Sequence, residues 1–159
     1  MHRTAIEKFC LFVSTGFGIG LIVPFAPGTF GSIPGVALAY ALSCLPVCWQ
    51  IVACVGLVFA SVGFCSIAEN SLGVKDDSRI TADEWMLFPI ALIGLPVAQL
   101  PWTAMVLFFC VIRVFDIVKP PPARQLQYFH GGFGITVDDL VANLYSLAVN
   151  WGIYLTFYK

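Results

Sequence analysis

The chain has 159 residues, of which 59% are hydrophobic, 14% aromatic and only 11% charged, with a formal net charge of −1 at pH 7. That is far more apolar than a soluble domain and reads as one membrane-embedded unit, residues 1–159. No basic patch favours nucleic acid, and the six cysteines, without a CxxC pair or companion histidines, read as small buried hydrophobes rather than a metal or redox centre.

No Asp, Glu, Lys or Arg occurs from Phe9 to Ala68, from Trp85 to Ile112 or from Leu140 to Tyr158. Each stretch can supply helices of the roughly 20 apolar residues that cross a bilayer. The opening MHRTAIEKFCLFVSTGFGIG has a basic end and an apolar run, but no small-residue cleavage site follows, so it is expected to be working structure and not a leader. Next, PGTFGS at 27–32 offers glycines for close backbone approach, the Thr29 and Ser32 hydroxyls, and free amides at a helix start. It reads either as a Gly/Pro turn with a Ser cap or as an anion cradle. Gly35 to Leu45 and Trp49 to Ala68 flank PVCW and are predicted to form a hairpin. The run from Trp85 to Ile112 is interrupted by Pro89, Pro96 and Pro101, which predicts a second hairpin bent around GLPVAQLPW. The arm before each bend has about 10 residues, roughly 15 Å as helix, too short to cross alone. Short, re-entrant or tilted helices buried in protein are therefore expected. Leu140 to Tyr158 can cross fully, and Trp49 and Trp102 at the bends suit the far interface. The expected fold is an all-α integral membrane bundle in which segments 27–32, 69–84 and 113–139 share one polar catalytic face.

Eight of the nine acids fall in the last two of those segments. The pair Asp83-Glu84 precedes WMLFPIALIG and Asp138-Asp139 precedes LVANLYSLAV, where helix N-termini and the membrane boundary are expected to coincide. Arg113, Asp116 and Lys119 recur at i, i+3 and i+6, so a continued helix lines them along one side. Ionisable groups at membrane depth are costly enough to count as functional candidates. Carboxylates without His or Cys partners suit Mg2+, and Mg2+ beside Arg, Lys and backbone amides is the equipment of phosphoryl chemistry. Glu69 and Asp77 read as solvated loop charges, Lys75 and Arg124 as contacts to lipid headgroups, and His130 as a cap of the HGG turn or a leaving-group acid.

GTFGS at 28–32, KDD…ADE at 75–84, RVFDIVKP at 113–120 and HGGFGITVDDLVA at 130–142 resemble, in order and approximate spacing, the signatures of the phosphatidylglycerophosphatase A family. The resemblance runs from about Phe17 to Ala142. It implies a small Mg2+-dependent bacterial membrane enzyme that dephosphorylates phosphatidylglycerophosphate to phosphatidylglycerol in phospholipid biosynthesis. By match to the family's pattern, Asp76, Asp83, Glu84, Asp116, Asp138 and Asp139 would form the acidic, metal-holding site, with Thr29, Ser32, Arg113 and Lys119 around the phosphate. Two residues depart from the pattern: Leu87 and Asn143 stand where the family usually has Gly, each expected one turn into a helix. The alternatives are another lipid-phosphate hydrolase or phosphotransferase, or a small cation channel or carrier. The first lacks a PSGH-like histidine motif and the DGxxAR…GxxxDxxxD signature. The second would want its charges at mid-depth rather than at one face. Lys75, Arg79, Arg113, Lys119 and Arg124 on the polar face, against Lys159 and at most Arg3 and Lys8 opposite, place that face in the cytosol of a bacterial inner membrane.

Overall fold

The computed structural model describes residues 4–23, 25–75 and 77–159, and among these it contains helices and no strand. Helix α1 (Ala5–Ser14) starts with a capping box: Glu7 N–H donates to the Thr4 hydroxyl (3.2 Å) and Thr4 N–H donates to the Glu7 carboxylate (2.7 Å). It stops after 10 residues because Gly16, Phe17 and Gly18 all take positive φ, so the first apolar run turns instead of continuing as one rod. Two short helices follow, α2 (Ile19–Ile22) and α3 (Pro27–Gly31), the latter opened by a proline at its first position. Then come α4 (Ile33–Ser43) and the long α5 (Val47–Leu72), which ends at a left-handed Gly73 whose N–H returns to Glu69 O. A loop leads to α6 (Ala82–Leu87), which runs into 3-10 turns at Phe88–Leu92 and Val97–Gln99. The chain closes with α7 (Trp102–Val118), the short α8 (Ala123–Leu126) and α9 (Gly131–Phe157).

With 26 and 27 residues, α5 and α9 are long and apolar enough to cross a membrane; at 1.5 Å per residue each is roughly 40 Å long. They pack on each other, and α7 packs on the other flank of α9. Between them sit α6 and the first 3-10 turn, holding a core of Met86, Leu87, Phe88, Ala91 and Leu92. Leu87, one of the two departures from the family pattern, is wholly buried there at the end of α6. The outer faces remain apolar, with Val52, Val55 and Phe59 of α5 and Leu144 of α9 all exposed. Polarity turns inward. Gly132, Thr136, Asp139, Asn143, Ser146 and Asn150 are buried along α9 at alternating steps of four and three, the spacing of a helix-packing seam.

Both predicted bends exist and lie at one end of the bundle. Gln50 joins them, donating from Nε2 to Leu45 O (2.9 Å) and accepting the Gly94 N–H at Oε1 (2.9 Å). From α9, Asn150 Nδ2 donates to Ala91 O (3.1 Å) and Trp151 Nε1 to Ile93 O (3.0 Å). These side chains satisfy backbone groups that irregular chain would otherwise leave bare among apolar residues. The hairpin pairing differs from expectation: α4 packs mainly on α6 and the first 3-10 turn rather than on α5. Gly35 permits this, since a Cβ there would press on Phe88 and on Trp85 O.

One boundary needs correction. Asp138 and Asp139 were expected at a helix N-terminus, but α9 begins at Gly131, so both lie more than a turn inside it. The cause is packing: a Cβ on Gly132 would run into Val62 O and Ser66 of α5, and the Gly132 N–H donates to Ser66 Oγ (3.1 Å). Close helix contact outweighs glycine's weak helix propensity. Asn143 consequently sits well inside α9, not one turn from its start, and donates Nδ2 to Asp139 O (2.9 Å).

Candidate active site

Opposite the tied bends, the α3–α4 junction, the start of α6, the end of α7 and the middle of α9 converge. They enclose a pocket of about 250 Å³ lined by Pro27, Gly28, Ser78, Ile80, Asp83, Glu84, Arg113, Asp116, Ile117, Lys119 and Asp139. Asp83 and Glu84 arrive on the first turn of α6, where acids suit the helix dipole. Arg113 and Asp116, one turn apart on α7, form an ion pair of 3.0 Å. The Arg113 guanidinium also donates to Ser32 Oγ (3.1 Å) and lies 3.4 Å from the Glu84 carboxylate. Ser32 in turn donates to Gly28 O (2.8 Å) and lies 3.4 Å from Glu84 Oε2. Gly28 lies flat against the Glu84 carboxylate, in space that a Cβ would fill. PGTFGS therefore seats Glu84 and Arg113.

Lys119 ends α7 in the left-handed region, at φ 44°, which turns its side chain across to α9. Its ammonium bonds Asp138, lies 3.1 Å from Asp139 Oδ1 and 4.0 Å from Asp116 Oδ1. Burial opposes its charge, but Asp139, Asp138 and Asp116 prevail, and its pKa is raised. Burial pushes the Glu84 carboxyl up to about 7; Asp116 adds to the rise while Arg113, Ser32 and Lys119 oppose it. Asp83, more deeply buried, is driven well above the carboxylate range by desolvation and then by the charges of Glu84, Asp116 and Asp138.

Among the described residues, five carboxylates thus face two cations, Arg113 and Lys119. Two buried oxygens, Oδ1 of Asp83 and Oδ1 of Asp138, have no hydrogen-bond partner. An excess of hard oxygen donors with orphaned lone pairs fits Mg2+ in charge and in kind. Among the described residues no three such side chains are already drawn together as a ligand group. Lys119 holds the α9 acids instead.

Of the residues singled out from sequence, Asp83, Glu84, Asp116, Asp138, Asp139, Arg113, Lys119 and Ser32 come together here. Asp76 lies outside the described residues. Thr29 is half-buried and does not line the pocket, and its N–H, like that of Phe30, is used on Ala26 O within the turn. Free amides at 29 and 30 are therefore not on offer. Asp77 is not a solvated loop charge: it is buried and gripped by Arg79 through Nε (2.8 Å) and Nη2 (2.6 Å). That grip holds its carboxyl below the usual range. Glu69 also departs from expectation, with Oε2 buried and unpartnered. His130 is the exposed residue capping α9, and its side chain makes no capping bond. Lys75 and Arg124 are exposed. Gly28, one of the glycines expected to allow close backbone approach, lines the pocket, whereas Ser78 and Ile117 line it without any signal in the sequence.

The sequence profile of the family described as Phosphatidylglycerophosphatase A matches residues 12–154. A phosphatidylglycerophosphatase A of Escherichia coli is 34% identical over 140 residues, 86% of this chain and 78% of the relative. One of Haemophilus influenzae is 34% identical over 148 residues, 89% of this chain and 86% of the relative. A Bacteroides thetaiotaomicron protein, named as a candidate phosphatidylinositol-3-phosphatase, is 37% identical over 139 residues, 84% of this chain and 86% of the relative. No solved structure matches. A profile spanning the polar segments from α3 to α9, with two relatives bearing its name, leaves one conclusion: the chain belongs to the phosphatidylglycerophosphatase A family.

Proposed function

We propose that this protein is a Mg2+-dependent lipid phosphatase that converts phosphatidylglycerophosphate to phosphatidylglycerol and phosphate in phospholipid biosynthesis, working at the cytosolic face of a bacterial inner membrane. The observation that carries this reading is the placement of one polar pocket, holding Glu84, Arg113, Asp116, Lys119 and Asp139, at the end of a bundle whose outer faces are apolar. Such a pocket suits a phosphate monoester presented by a lipid at the interface. Family membership supports the reaction.

Asp83, Glu84, Asp116, Asp138 and Asp139 would hold the metal, which when bound supplies positive charge to the phosphoryl oxygens and lowers the pKa of a water. Arg113 is aimed into the pocket by Asp116 and Ser32, a fork able to take two phosphate oxygens. It offsets the negative charge that grows as water adds to phosphorus and the bond to the glycerol oxygen breaks. Glu84, 3.4 Å from the Arg113 guanidinium, ties that cation to the acids that would hold the metal.

The test is phosphate release by the purified protein from phosphatidylglycerophosphate, phosphatidylinositol 3-phosphate and glycerol-3-phosphate, with Mg2+ or with EDTA. The first lipid should be turned over fastest, the soluble ester far more slowly, and EDTA should abolish release. Faster turnover of the inositol lipid would transfer the reading to the activity in the name of the 37% identical relative. Equal rates on the soluble ester, or rates indifferent to EDTA, would end it. A periplasm-active reporter fused after Lys159 should be active if the pocket faces the cytosol.

A further inference from the structure

The position of Lys119 holds more than a phosphate contact. Its ammonium lies among Asp116, Asp138 and Asp139, the place a divalent cation would need if those three acids are to share it. The same region has Asp138 Oδ1 and Asp83 Oδ1 buried with no donor. The lysine therefore neutralises the α9 acids without satisfying all their lone pairs. Its attachment is suited to exchange: the side chain springs from the cap after α7, on a flexible four-carbon stem, and also lines the open pocket. Arg113 has no such freedom, being held by Ser32 and Asp116 with its Nε buried.

We propose that Lys119 is an exchangeable internal counter-ion: it occupies the carboxylate cluster while metal is absent, and the arriving cation displaces it into the pocket, where it meets the phosphoryl oxygens. This rests on the Mg2+ reading above. It orders the events, because the ammonium becomes available to the phosphate only after the acids have accepted a metal. It also gives the protein a positive charge among buried acids that could not otherwise remain ionised side by side.

The experiment reads binding, not turnover. Full-length protein in detergent, stripped of metal, is titrated with Mn2+ by electron paramagnetic resonance, and wild type is compared with Lys119→Met. Removing the competing charge should tighten Mn2+ affinity by about tenfold or more, while the metal-free variant melts lower than wild type. Unchanged or weaker Mn2+ affinity in Lys119→Met overturns the proposal, as does failure of both proteins to bind. A second measurement needs only wild type, in case the variant does not fold: labelling of Lys119 by an amine-reactive reagent, followed by mass spectrometry, should rise when Mn2+ is added. Labelling that stays constant or falls overturns the proposal equally. A protein that binds Mn2+ in this manner but releases no phosphate from any lipid would sink the proposed reaction and leave the exchange intact.

Discussion

Helices α5 and α9 are nearly equal in length, lie side by side and present apolar outer faces, yet their inward residues differ in kind. The buried positions of α5 are Gln50, Cys54, Ser61, Cys65 and Ala68, and its apolar window has a mean hydropathy of 2.4. Those of α9 include Thr136, Asp138, Asp139, Asn143 and Asn150, and the corresponding value is 1.2. The surroundings fix the outer face of both helices. A few inward positions set the two apart: α5 buries small or neutral side chains, α9 buries acids, and α7 sends Lys119 across to those acids.

The sharpest way to break this contrast is to change one inward residue on each helix. Asp139→Asn should lower phosphate release by on the order of 100-fold or more, because it removes charge at the reacting centre. Ser61→Ala on α5 removes a 3.0 Å bond to Thr136, should cost about 1 kcal/mol in stability and should leave turnover near wild type. Equal losses of activity would erase the division. Arg113→Lys comes next: it keeps the charge but loses the planar fork, so kcat should fall by about tenfold while the Mg2+ concentration for half-maximal rate stays put. A shifted Mg2+ requirement would make Arg113 a keeper of the metal site instead.

The seam itself is tested by glycines of α9. Gly132→Ala drives a methyl group into Val62 O and Ser66, an overpacking that should cost about 1–3 kcal/mol and lower Tm. Gly152→Ala meets nothing within 4 Å and should hold or raise Tm through helix propensity. The smallest effect concerns Asp77. Its pairing with Arg79 lowers its folded pKa, so the unfolded chain binds protons more readily as pH falls. The stabilisation is present above the ordinary Asp pKa and is lost as pH drops through the lower folded value. Thermal melts of Asp77→Asn should trail wild type at pH 7 and converge with it near the acid limit; a constant gap at all pH values would deny the ion pair its role.

The sequence made part of this plan visible for stated reasons. Asp83-Glu84 ahead of an apolar run located the start of α6, the prolines located the irregular turns, and the i, i+3 spacing of Arg113 and Asp116 located their ion pair. Other features rest on contacts between distant segments. HGGFGIT looks like loop until Ser66 and Val62 of α5 demand the missing side chain at Gly132. Asp77 looks exposed because its partner is two residues away in a loop, where helix spacing points to no pairing. The alternating four-three spacing from Gly132 to Asn150 was readable in principle, but the apolar residues between those positions hid it.

Gln50, Asn150 and Trp151 clasp the proline-broken turns at the end of the bundle remote from the pocket. Near the pocket, α7 and α9 are held by the flexible arm of Lys119 and by the Tyr145 hydroxyl, which donates to Pro121 O (2.9 Å). The two ends are therefore closed by different chemistry, neutral side chains bonded to backbone groups at the one and charged groups paired with each other at the other. Acid protonates carboxylates and leaves neutral amides untouched, so it acts on the pocket end and spares the other.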